Sequence, residues 1–183
     1  MKLQTDLLEK IKKTPRKNKT FLIGIDGFGG SGKSTLAKLL KEQLENVSIV
    51  EVDDFYLPSL GHADRKRILD QVILPLVREK SAKYQIFDWK KNRLTDWKTI
   101  QPGAVVIIDG ISAMHQEFIN YLDFRIWIEC PQEVGFKRGV ERDKVRDGVD
   151  TKEKWQNIWM PQEKEYVDSQ NPAQYADYVI NGV

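Results

Sequence analysis

Apolar residues fall along the chain in two rhythms. Unbroken short runs occur at Thr20–Asp26 (TFLIGID), Val47–Val52 (VSIVEV), Ala104–Ile108 (AVVII), Phe124–Ile128 (FRIWI) and Ala176–Ile180 (ADYVI). Each reads as a buried strand. Between them the apolar positions return at helical spacing. Leu3, Leu7, Leu8 and Ile11 mark a helix over 3–13, and Ser34–Leu44 a second. Ile68, Val72, Leu76 and Val77 line one face of Arg65–Glu79 despite Pro75. Pro131–Asp147 and Trp155–Val167 are two further helices, while 57–64, with Pro58 and Gly61, reads as a loop. Strands alternating with helices predict an α/β fold, a mostly parallel sheet with helices on both faces.

A chain of 183 residues suits one domain over 1–183, in which 1–19 are an N-terminal helix and basic connector. Hydrophobic residues make up 40% and charged residues 31%, an ordinary globular balance. The net charge of +2 gives no broad field for nucleic acid, so an anionic ligand must be caught by local geometry. Lys12–Lys19, with Pro15, reads as a solvated connector rather than a nucleic-acid arm. Cys130 stands alone at the end of a strand and reads as a small core residue. His62 and His115 are too few for a histidine zinc site. With no apolar leader and no spanning run, the expectation is a soluble cytoplasmic protein without a membrane partner.

The strongest chemical signal is Gly27-Phe28-Gly29-Gly30-Ser31-Gly32-Lys33-Ser34, followed by Thr35. It satisfies G-x-x-x-x-G-K-[ST] between an apolar strand and a helix, the context of a phosphate-binding P-loop. Glycines let main-chain N–H groups turn inward, and the helix aims its N-terminus at the same anion. Lys33 is placed for the β- and γ-phosphates of ATP, and the Ser34 hydroxyl for Mg²⁺.

Two acidic positions follow apolar strands. Val105–Asp109 ends in a carboxylate at the sheet's C-terminal edge, beside the phosphate loop. Asp109 is thus a candidate for Mg²⁺ or its water shell; the competing reading is a turn cap. Val52-Asp53-Asp54-Phe55-Tyr56 follows the second strand. Asp53 can face the γ-phosphate and take a proton from an acceptor hydroxyl, with one of the two aspartates left to cap a turn. No N-K-x-D element for reading guanine is present.

From about residue 20 onward the chain resembles the uridine kinase and phosphoribulokinase group of P-loop kinases. The resemblance rests on the order of GFGGSGKST, VDDFY, FDW at 87–89, VVIIDG, FKRGVERD and QYADYVING. It implies a five-stranded parallel core with a lid helix and transfer of the ATP γ-phosphoryl to a primary hydroxyl. By position it implies Asp53, Lys33 and Arg142 as catalytic residues. Gly27, Gly29, Gly30, Ser31, Gly32, Lys33, Ser34 and Thr35 would hold the nucleotide, aided by Arg138 and Arg146. Ser34 and Asp109 would serve the metal, Asp109 replacing the family's usual glutamate. Asp53, Tyr56, Asp64, Asp88 and Trp89 fall on the acceptor side. Arg138, Arg142 and Arg146 recur every four residues on one helical face, suited to stabilising charge on a phosphoryl group or equally to a solvated surface.

The chain departs from the family's base-reading segment, where Asn92 lies near the place of a histidine, and lacks the aromatic and proline beside Asp64. Phe87 and Trp89 suit either a base stack or the core of a small hairpin. Trp155, Trp159 and Tyr166 read as a packing stripe. The leading expectation is an ATP- and Mg²⁺-dependent small-molecule kinase acting on uridine or cytidine. Pantothenate or a sugar phosphate are other acceptors of the same class. A nucleotide-dependent ATPase or switch acting on a protein partner is the reading from a different class, and homo-oligomerisation stays open.

Overall fold

The computed structural model describes residues 4–183, apart from the side chain of Asp147; Leu3, placed above on the first helical face, lies outside the described residues. In chain order the strands are β1 (Phe21–Gly27), β2 (Val47–Glu51), β3 (Tyr56–Leu57), β4 (His62–Ala63), β5 (Ala82–Asp88), β6 (Arg93–Ile100), β7 (Val105–Asp109), β8 (Phe124–Glu129) and β9 (Tyr178–Asn181). Five of them form one sheet in the order β2-β7-β1-β8-β9. Every neighbouring pair is parallel, so the sheet is wholly rather than mostly so.

The pleat explains the layers. Along β1 and β7, Leu22, Val106 and Ile108 turn to one face, where they meet Val72, Ile73 and Leu76 and the buried Tyr84 of β5. Phe21, Ile23, Ile25, Val105 and Ile107 turn to the other, against Leu36 and Leu40 of the helix Lys33–Gln43 and Leu7 and Ile11 of the helix Thr5–Lys13. Both faces are therefore covered, as the near-continuous apolar strands require. Truncating one of these side chains, for instance Ile107→Ala, costs about 2–5 kcal/mol.

The basic connector is folded into the body. Asp123 accepts from Lys17 N and Leu22 N, both at 2.7 Å, and the Lys17 amine donates to Leu122 O at 2.6 Å. Residues 57–64, read as a loop, hold most of the short antiparallel β3–β4 ladder, which begins at Tyr56 and turns through Gly61 at φ 72°. A two-residue ladder is too short to leave an alternating pattern in the sequence.

Two helices share a device that the apolar spacing hid. The first runs through Arg65–Ile68, a π-helical stretch Leu69–Ile73 and Leu74–Val77. The second runs through Lys152–Lys154, a π-helical stretch Trp155–Trp159 and Met160–Gln170. Each π stretch ends two residues before a proline, Pro75 and Pro161. Proline has no N–H and its ring collides with the carbonyl four residues back; widening the preceding turn relieves both.

Between them lies the arginine helix Gln132–Asp147. It touches the phosphate loop backbone to backbone. A Cβ on Gly135 would stand 2.1 Å from Gly29 O, and one on Gly30 would stand 2.1 Å from Gly135 O. Glycine at these positions is thus a condition of the packing.

Candidate active site

The C-terminal edge of the sheet collects the chemistry, because β1, β2 and β7 all end there. The phosphate loop continues β1 directly. Gly30 at φ 72° and Gly32 at φ 106° adopt backbone angles that side chains resist, which lets the loop curl on itself. Lys33, buried, donates to Gly27 O and Phe28 O, each at 2.8 Å. Its ammonium is thereby held over the loop's concave side. Ser34 and Thr35 open to solvent in the first turn of the helix, and the Ser31 hydroxyl is buried without a hydrogen-bond partner.

Asp109 closes β7, next to Ile25 on one side and Glu51 on the other. Burial pushes its carboxyl up to about 6, against the pull of the Ser34 hydroxyl and Lys33. Its Oδ1 is buried and without a hydrogen-bond partner. A buried, unsatisfied carboxylate oxygen beside a hydroxyl is a donor set suited to a hard divalent cation.

Asp53 and Asp54 follow β2 in a short turn, Val52–Phe55. They have different work. Asp54 is bound by Lys98 of β6 at 2.8 Å. Asp53 is exposed. The mass of protein around it raises its carboxyl, and Lys33 and then Arg142 draw it back. Lys33 and Arg142 thus both act on Asp53 through charge.

The three arginines diverge. A spacing of four drifts about 40° per step on a 3.6-residue helix, so the first and last differ by about 80°. Arg142 grips Asp143 through Nε at 3.0 Å and Nη2 at 2.8 Å, and Arg146 lies 3.7 Å from the same carboxylate. Both face Asp53 electrostatically. Arg138 turns the other way, donating to Gly182 O at 2.5 Å behind the loop.

On the acceptor side Tyr56 of β3 lies against Phe87 at 5.2 Å and Trp89 at 4.4 Å between ring centres. Phe87 is buried in the β5–β6 hairpin, whereas Trp89 is 50% exposed. Phe87 is thus hairpin core, while Trp89 packs on Phe87 and Tyr56 with half its surface open. Asp64 caps its own helix, accepting from Arg67 N at 3.2 Å. Asp88 accepts from Lys90 N and Lys91 N at 3.0 and 2.9 Å, and the Lys91 contacts hold its carboxyl below the usual range.

Three residues escaped the sequence reading. Asp26 is fully buried at the end of β1 and accepts from Gly27 N, Ser112 N and Met114 N. Tyr166, read as packing, donates to it at 2.7 Å from the helix Met160–Gln170. Glu163, one turn earlier, accepts from Gly29 N at 3.1 Å. A charge inside an apolar strand was a signal for Asp26. Nothing local marks Glu163.

The comparisons accord with this geometry. Residues 61–183, well over half the chain, match the model of the Phosphoribulokinase / Uridine kinase family. The chain belongs to that family. The match begins after the phosphate loop, so the loop's assignment as a member's P-loop stands on its own geometry. A uridine kinase of Brevibacillus brevis is 27% identical over 182 residues, 87% of this chain and 83% of that one. A uridine kinase of Alkaliphilus metalliredigens is 27% identical over 149 residues, covering 72% of each. Among solved structures, a possible uridine kinase from Bacillus stearothermophilus superposes with a TM-score of 0.72 at 19% identity over 96% of both chains. D-glycerate 3-kinase from Cryptococcus neoformans does so at 0.59 and 15%, over 92% of this chain and 84% of that one. These last two speak to the fold. This phosphoribulokinase/uridine kinase family member is accordingly a P-loop kinase with a small-molecule hydroxyl acceptor. Among the described residues no helix is long and apolar enough to cross a membrane.

Proposed function

We propose that the protein transfers the γ-phosphoryl group of Mg-ATP to a primary hydroxyl of a nucleoside, with uridine or cytidine first in line. The observation that carries the reading is the pull of Lys33 and Arg142 on Asp53, three residues before Tyr56, which packs on the half-exposed Trp89. The glycine loop and Lys33 would hold the triphosphate; Ser34 and Asp109 would hold Mg²⁺, which neutralises charge on the phosphates when bound. Asp53 orients the acceptor hydroxyl and takes its proton at the carboxylate. Its raised carboxyl suits that task, since a base nearer neutrality both accepts and releases protons readily. Arg142 supplies positive charge over the same centre. The Tyr56–Trp89 pair offers a planar ring a stacking partner, and the related uridine kinases make a pyrimidine nucleoside the natural candidate.

One observation favours another small alcohol. Asp64 and Asp88, the carboxylates suited to reading a ribose, both hold their own backbone turns. A panel of nucleosides and other alcohols, scored for ADP release with Mg-ATP, decides between these. Release with uridine or cytidine alone supports the first reading. Release only with a non-nucleoside alcohol replaces the acceptor, and none with any acceptor returns the protein to an ATPase or switch.

A further inference from the structure

Glu163 is 8% exposed, and its Oε2 accepts from Gly29 N at 3.1 Å. Gly29 belongs to the loop whose main-chain N–H groups are the means of gripping phosphate. The helix carrying Glu163 thus delivers an anion to a donor of the anion site. Other contacts fix the delivery. Trp155 is wedged between loop and arginine helix: its Cη2 would meet a Cβ on Gly29 at 2.4 Å, and its Cζ2 one on Gly139 at 2.3 Å. Tyr166, one turn beyond Glu163, is tied to Asp26 at the root of the loop. Gln132, the first residue of the arginine helix, donates to Met160 O at 2.8 Å and faces the Glu163 carboxyl.

The charges around it conflict. Burial raises the Glu163 carboxyl, and of the charges that act on it Lys33 attracts and Asp53 repels. Lys33 is already shared between two loop carbonyls. A polyphosphate entering the loop adds negative charge a few ångströms from this carboxylate and claims the same class of donor.

We propose that Glu163 is a carboxylate plug of the phosphate loop: it holds the Gly29 N–H, competes for it with an entering triphosphate, and so sets how tightly nucleotide is held. This rests on the reading of Gly27–Ser34 as a triphosphate site. A purely structural role has the opposite signature, since loosening the loop weakens binding.

Calorimetric titration of the full chain with Mg-ATP, with magnesium pyrophosphate and with adenosine separates the two. Glu163→Gln keeps an acceptor oxygen but removes the charge, and is expected to tighten Mg-ATP and pyrophosphate severalfold. Glu163→Ala removes both and is expected to tighten them about tenfold. Adenosine, without phosphates, is expected to bind all three proteins alike. Unchanged or weaker polyphosphate binding in Glu163→Gln overturns the proposal, as does equal tightening of adenosine. The near-isosteric Gln variant decides the matter even if the Ala variant does not fold. Failure of the unmutated protein to bind Mg-ATP or pyrophosphate sinks the triphosphate reading itself, a result distinct from either.

Discussion

On the phosphate side of the cleft, Asp26, Lys33, Asp109 and Glu163 are buried, and each faces groups from other elements of the chain. On the side of the β5–β6 hairpin, Asp64 and Asp88 bond to groups within three residues of themselves, Asp88 to the Lys91 ammonium as well as to backbone, and Trp89 stands half in solvent. The phosphate half is fixed by the sheet, because its residues sit at strand ends whose register the core dictates. The acceptor half is a hairpin and two short strands laid over the sheet. Buried donors tolerate little change, whereas an exposed aromatic shelf can be re-surfaced without disturbing the fold. On the proposed function, nucleotide chemistry would accordingly be built into the architecture and acceptor choice carried by its surface.

The contrast breaks most sharply at Asp53, where the halves meet. Asp53→Asn is expected to lower kcat about 10³-fold, within the usual 10²–10⁴ for a general base. Affinity for Mg-ATP by calorimetry should stay within about threefold. An equal loss of ATP binding would move Asp53 from the acceptor to the metal or the fold.

Asp109 gives the next largest effect. Its folded carboxyl titrates near 6, raised from 3.8. Between those values the folded chain keeps a proton that the unfolded chain has released, so its contribution to stability is lost as pH rises through about 6. Metal-free Asp109→Asn, neutral throughout, should therefore exceed the parent in stability at pH 7.5 by up to about 3 kcal/mol. The gap should narrow toward pH 5 in urea unfolding, and Mg²⁺ should reverse the ranking at pH 7.5. A ranking that ignores both pH and Mg²⁺ would remove Asp109 from the metal site.

Tyr166→Phe should cost about 1–2 kcal/mol in the same assay, for it leaves Asp26 one donor short in the interior. Trp89→Ala is the smallest. It should raise the acceptor KM about fivefold, as expected for one lost ring contact, and leave the ATP KM and the melting temperature nearly unchanged. A change in ATP KM there would mean that the two sides are not separable.

The same division governs what the sequence made legible. The phosphate loop could be read because its chemistry is contiguous: strand, glycines, lysine, hydroxyl and helix follow one another from Phe21 to Gln43. The places of Asp53 and Asp109 at the sheet's C-terminal edge could be read because one lies just after an apolar strand and the other ends one. Asp26 and Tyr166 lie 140 residues apart, and Glu163 stands 134 from Gly29. No spacing rule reaches that far, so Tyr166 passed for packing and Glu163 drew no reading at all. The π-helical stretches were hidden for a different reason. An inserted residue keeps the apolar side chains facing inward, so Pro75 seemed merely tolerated, when it in fact widens the turn before it.

The loop's grip on a magnesium triphosphate is tested most directly by titrating Mg-ATP into the parent protein and Lys33→Ala side by side. Removing an ammonium hydrogen bond of this charged kind costs roughly 1.5–3 kcal/mol. The expected result is saturable binding by the parent and at least tenfold weaker binding by the variant. Equal affinities, or no binding by the parent, would contradict it.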